Sequence, residues 1–182
     1  MERQRSLFRS SVLVYDFIDK LEEATLRNED TVNERIRPIE RALSRRDGGT
    51  AMRAIYAHPG HDDEDTEVTY QLPANFAVAR HLLLVFAVAV LGEHPVNRRG
   101  CGFKNIPDNR VRFEVRVNGK TVFKREFDAE DPHLFEWEHH LIPITEGEGR
   151  TLKVDLITNA MGKLAYNWTA WGEPKLIAIS ST

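Results

Sequence analysis

The stretch "RVRFEVRVNGKTVFKREF", residues 110–127, decides the fold class. Val111, Phe113, Val115 and Val117 alternate with Arg112, Glu114 and Arg116. That period of two puts one set of side chains on each face of a strand. Asn118-Gly119 follows at once. A type I′ turn needs positive φ at both central positions, which Asn and Gly adopt at least cost, so the pair predicts a tight antiparallel hairpin. Val122, Phe123 and Phe127 supply the apolar positions of the return strand.

The same pattern continues on both sides. "EVTYQL" (67–72) sets Val68, Tyr70 and Leu72 against Glu67, Thr69 and Gln71. "HLLLVFAVAVL" (81–91) is apolar on both faces, as a central strand covered on both sides would be. "LFEWEHHLIPI" (134–144) alternates Phe135, Trp137, His139 and Leu141, and "TLKVDLIT" (151–158) alternates Leu152, Val154 and Leu156. "AMRAIYAH" (51–58) and "AYNWTAWGEPKLIAI" (165–179) read as the first and last strands of the set. Short strands that each have one polar face predict a mainly β chain closed as an antiparallel sandwich.

Residues 1–49 read as a separate helical segment, with the sandwich over 50–182. Val14, Phe17, Ile18 and Leu21 recur at helical spacing, and Ser11 could cap the turn before them. Residues 28–31 read as a break. Ile36, Ile39 and Leu43 suggest a second short helix with Pro38 in its first turn, ended by residues 47–49. The rival reading makes "SVLVYDFI" (11–18) a strand, because it is rich in Val, Tyr, Phe and Ile.

With 25 Lys and Arg against 28 Asp and Glu, the chain of 182 residues lacks the basic excess of a nucleic-acid binder. The single cysteine, Cys101, cannot form an internal disulfide. No apolar run approaches the roughly 20 residues that span a membrane. The first 23 residues lack a cleavable leader pattern, so a cytoplasmic chain is the default expectation, with a fragment of a secreted protein as the other.

The hairpin, the Trp-bearing strand after it, "TLKVDLITNAMG" (151–162) and "YNWTAWGEPKL" (166–176) resemble the galactose-binding-like jelly-roll sandwiches. They are most similar to the novel carbohydrate-binding module group, whose members end near D-W-A-x-W-G-x-P. Asn167 stands where those members often carry Asp. The resemblance covers roughly residues 51–179 and implies a jelly roll; its shared positions are mainly core and turn, which say little about function.

Trp168 and Trp171 lie three apart, on opposite faces of a regular strand. One reading stacks one of them on a sugar ring. The other buries Trp171 in the core and tucks Trp168 under a loop. The connecting loops carry the planar amides and guanidinium groups that suit paired hydroxyls: Arg98, Arg99, Lys104, Asn105, Asp108 and Asn109 in the middle loop, Asn159 and Tyr166 in the last. Asp62, Asp63 and Asp65 could supply oxygens to a structural Ca²⁺, which related sandwiches often hold, or form a solvated acidic turn, as charge runs usually do. "AHPGHDDED" (57–65) is similar to the A-H-P-D-D-E zinc motif of N-acetylglucosamine deacetylases, but Gly60 and His61 interrupt it. Asn167-Trp168-Thr169 matches a glycosylation acceptor inside a packed strand motif.

The expected function is a non-catalytic module for a glycan or related polyhydroxylated ligand. The competing expectation is an interaction domain without a sugar site, forming homo-oligomers through its N-terminal helices. No nucleic-acid or membrane partner is expected, and no cofactor beyond the calcium already raised.

Overall fold

A computed structural model describes residues 11–28, 36–42, 51–60, 63–72, 82–92, 102–145, 151–162 and 167–179. Its strands are β1 (Ser11–Asp16), β2 (Thr25–Arg27), β3 (Ile36–Ala42), β4 (Ala51–Ala57), β5 (Thr66–Leu72), β6 (Leu82–Val90), β7 (Arg110–Val117), β8 (Lys120–Asp128), β9 (Glu138–Ile144), β10 (Leu152–Asn159) and β11 (Thr169–Ile179). They form two sheets. One has the order β3-β4-β11-β6-β9, with β1 also on β11; the other has the order β2-β5-β10-β7-β8. Every pairing is antiparallel.

The predicted hairpin is present. Asn118 and Gly119 take φ of 50° and 81° between β7 and β8. Val111, Phe113, Val115 and Val117 are all buried in the core, with Val68, Tyr70 and Leu72 of β5 and Leu152, Val154 and Leu156 of β10. β6 is central, between β11 and β9. Leu84, Phe86 and Val88 face the core, while Ala89 joins a second, smaller cluster on the other face of its sheet. On β9 the inward set differs from the alternation noted above. His140, Ile142 and Ile144 turn toward the core, and His139 and Leu141 turn outward. Phe135, at φ 71°, breaks the period just upstream.

Among the described residues the N-terminal helices are not found. Residues 11–16 and 36–42 are strands, and the helical turns among the described residues are short 3-10 segments such as Leu21–Glu23. The rival strand reading of residues 11–18 is the one that holds over β1. A register shift between Leu13 and Tyr15 bends β1, and the turn after Asp16 lets Tyr15, Phe17 and Ile18 all reach the core. That produces a spacing close to a helix's without one. Pro38 sits in β3, at the edge of its sheet, where a missing N–H breaks no ladder on the open side. Of the break expected at residues 28–31 only Asn28 is described, following β2 with φ 58°; residues 29–31 and 47–49 lie outside the described residues.

The Gly172-Glu173-Pro174 step has a specific task. β11 pairs with β4 through Gly172 and with β1 from Lys175 onward, and its register with β6 shifts between those two residues. Glu173, at φ 40°, forms the bulge, and the Phe17 N–H donates to the Pro174 carbonyl at 3.1 Å. One strand thereby serves two neighbours in succession along one edge.

Candidate functional site at the loop end

The registers gather five connections at one end of the sandwich: β2–β3, β4–β5, β6–β7, β8–β9 and β10–β11. Each crosses from one sheet to the other. Six of the buried polar residues cluster there: Thr66, Asn109, Thr158, Asn159, Asn167 and Thr169. A buried amide or hydroxyl is costly unless it is hydrogen-bonded, so this concentration has to be held by internal partners. Thr158 Oγ1 of one sheet donates at 2.9 Å to the Ala57 carbonyl of the other, and Thr169 Oγ1 donates to the same oxygen. Asn167 Nδ2 donates to the Arg110 carbonyl at 3.3 Å, and Asn109 Nδ2 to the Phe103 carbonyl at 3.4 Å.

Asn159 organises the acidic loop. Its Nδ2 donates to the Asp63 carbonyl at 2.6 Å and to Asp65 Oδ1 at 2.8 Å, while its Oδ1 accepts from the Met161 N–H at 2.7 Å. Arg112 Nη2 reaches the same Asp65 oxygen at 3.0 Å, and Asn28 Nδ2 donates to the Asp65 carbonyl at 2.5 Å. Asp65 is thus committed to a guanidinium and an amide, a setting that disfavours a second cation. Asp63 is exposed, with φ 63°. Asp62 lies outside the described residues, and among those described no three His, Cys, Asp or Glu side chains are grouped to hold a metal.

The remaining sequence-predicted residues separate by exposure. Asp108, Lys104 and Asn105 are exposed around the same end, whereas Asn109 and Asn159 are buried beneath. Arg98, Arg99 and Tyr166 lie outside the described residues. Trp171 is fully buried and joins the sheets, with Phe86 of its own sheet at 5.5 Å and Phe113 of the other at 5.2 Å. Trp168 is on the opposite face, 8% exposed, packed with Tyr56, Leu91 and Ala89. Its ring therefore offers little open surface. Asn167, fully buried, is inaccessible as a glycan acceptor in the folded chain.

Two aromatic residues that were not singled out as ligands lie on the β8–β9 connection. Phe135 is partly exposed, with the Lys104 ammonium 5.8 Å from its ring centre. Trp137 packs over Gly172. The left-handed backbone at a bulky residue such as Phe135 is uncommon, and no local composition signals it.

Among solved structures, the tandem CBM51 modules of Sp3GH98, the family 98 glycoside hydrolase from Streptococcus pneumoniae, match 94% of this chain at TM-score 0.57 and 12% identity. The shared feature is the fold, a jelly-roll β-sandwich. This jelly roll is also similar to the CBM51-2 and INT domains of Clostridium perfringens ZmpB, at TM-score 0.47 and 10% identity over 95% of the chain. The chain spans 48% and 30% of those two structures. No family model matches the sequence, and no curated protein matches it.

Proposed function

We propose that the chain is a non-catalytic module that binds a glycan or related polyhydroxylated ligand at the loop end of the jelly roll. The observation that carries this reading is the buried Asn159 amide, which pins the acidic loop through Asp63 and Asp65. Loops fixed in this way present polar groups without an ordering cost at binding, the condition under which a few hydrogen bonds yield affinity. Asp63, Lys104, Asn105 and Asp108 supply the exposed donors and acceptors, and Arg98, Arg99 and Tyr166 join the set on sequence position. Phe135 supplies the partly exposed aromatic face against which a sugar's C–H groups can pack. Trp168 acts from beneath, as support.

The test is a glycan panel read by backbone amide shifts at millimolar ligand. Saturable shifts confined to the loop end, lost in Asp108→Ala, are expected; a panel that moves no amide there overturns the reading. An interaction domain without a sugar site is the second reading, and the exposed Leu13 and Leu141 favour it.

A further inference from the structure

Phe135, the aromatic face of the loop end, is held in a conformation that its own chemistry disfavours. Its φ of 71° is left-handed backbone, and a bulky side chain persists there only where its surroundings fix it. The connection that carries it, residues 129–137, runs from β8 at the margin of one sheet to β9 at the margin of the other. Leu134 anchors it in the core. The N–H groups of Asp131, Leu134 and Glu136 donate to the carbonyls of Asp128, Asp131 and His133, at 3.3, 3.2 and 3.0 Å. Those bonds each span three residues. They set local curvature, and do not set where the segment stands against the two sheets.

Arg125 supplies that constraint. It lies on β8 opposite Phe113, on the inner face of its sheet. Its guanidinium stacks 4.1 Å from the ring centre of the buried Phe127, which fixes the plane of the fork. From there it reaches both ends of the connection. Nη2 donates to Asp131 Oδ2 at 2.7 Å, and Nε donates to Glu138 Oε2 at 2.9 Å and Oε1 at 3.2 Å. Nη1 donates to the Glu126 carbonyl. Asp131 passes the constraint into the turn, because its other oxygen accepts from the His133 N–H at 2.8 Å. Glu138 begins β9, so the same guanidinium ties one sheet to the other. The side chains of Arg125, Asp131 and Glu138 are only 24%, 10% and 26% exposed, so water screens them less than a surface pair. Without the cation, two carboxylates would face each other across the connection.

We propose that Arg125 is the positioning residue of this connection, and that it fixes where Phe135 stands for a ligand at the loop end. The role in binding rests on the glycan reading above; the placement of Phe135 does not. The fork is essential to it. A lysine at this position keeps the charge but has one ammonium, which cannot serve Asp131 and Glu138 from two separate nitrogens.

The test is amide hydrogen exchange on the full chain without ligand, at pH 7. In Arg125→Lys the amides of Asp131, Leu134 and Glu136 should exchange at least about tenfold faster. Those of Asn105 and Asn109, which donate within the middle loop, should hold their rates. A merely structural role would speed both sets alike, and a purely electrostatic one would be rescued by lysine; either result overturns the proposal. Asp131→Asn, which keeps an acceptor for His133 and removes the charge that Nη2 meets, gives the same readout if the Arg125 variant fails to fold. In a second arm galactose, xylose and cellobiose are titrated at millimolar concentration. Any of them that shifts a loop-end amide should bind about fivefold or more weakly to Arg125→Lys, because the connection must then be ordered at binding. Undiminished binding overturns the role in ligand placement. If none of the three shifts a loop-end amide, the glycan reading fails for them, and the exchange arm by itself decides whether Arg125 positions Phe135.

Discussion

Replacing Asn159 probes the hydrogen bonding that holds the loop end together. Asn159→Ala removes two donated bonds, at 2.6 and 2.8 Å, and one accepted at 2.7 Å. At about 1 kcal/mol each, the loss is about 3 kcal/mol, a large part of the roughly 5–15 kcal/mol that holds a domain folded. Asn159→Asp is nearly isosteric and keeps the bond from Met161, so size alone predicts the milder effect. Charge predicts the reverse. The new carboxylate would lie where an amide now meets Asp65 Oδ1 at 2.8 Å, with both donors gone. Two like charges at that distance cannot both stay ionised cheaply, and a single unit of pKa displacement already corresponds to about 1.4 kcal/mol. Asn159→Asp should therefore be less stable than Asn159→Ala by at least that amount at pH 7. The excess should vanish near pH 4, where one carboxyl takes a proton and can donate again. Urea unfolding of both variants at the two pH values measures it, and taking their difference cancels every other titrating group. If Asn159→Asp equals or exceeds Asn159→Ala in stability at pH 7, the electrostatic account of this end is wrong.

Other outcomes follow from packing and titration. Gly172→Ala would set a Cβ 2.9 Å from Trp137 Cζ3 and against Met52 Sδ; a loss of about 1–3 kcal/mol is expected in thermal unfolding, partly restored by adding Met52→Ala. Burial, aided by Arg125 and His139 and opposed by Glu138, depresses the pKa of His140. The unfolded chain then binds the proton more readily than the folded one. Stability is full above the ordinary histidine range and declines as pH falls through it toward the folded pKa. His140→Gln should flatten that limb of a urea-midpoint profile, and an unchanged slope would rule the imidazole out as its cause. Burial pushes the Glu114 carboxyl up, but hydrogen bonds from Arg116 and Thr121 outweigh it, so it titrates in a more acidic window and leaves this one clear.

Where alternation ran unbroken, the sequence was sufficient. β5, β7 and β10 carry their core residues every second position, and Asn118-Gly119 marks the turn without help from distant contacts. At the N-terminus the local signal misled. The bulge at Leu13–Tyr15 and the turn after Asp16 collapse a strand's period into something near 3.6, and only pairing with β11 makes residues 11–16 extended. The candidate site was legible as residue types but not as an arrangement. Asn159 and Asp108 appeared equivalent as loop polar groups, yet one is buried as a brace and the other stands in solvent.

The chain's own order of residues thus determined that it folds into short antiparallel strands, because period-two alternation and a two-residue turn are local properties of the backbone. Which end collects the loops and which tryptophan faces inward were decided by tertiary structure. Those outcomes depend on the registers of β11 with β1, β4 and β6, and on contacts such as Asn159 to Asp65 between residues 94 positions apart.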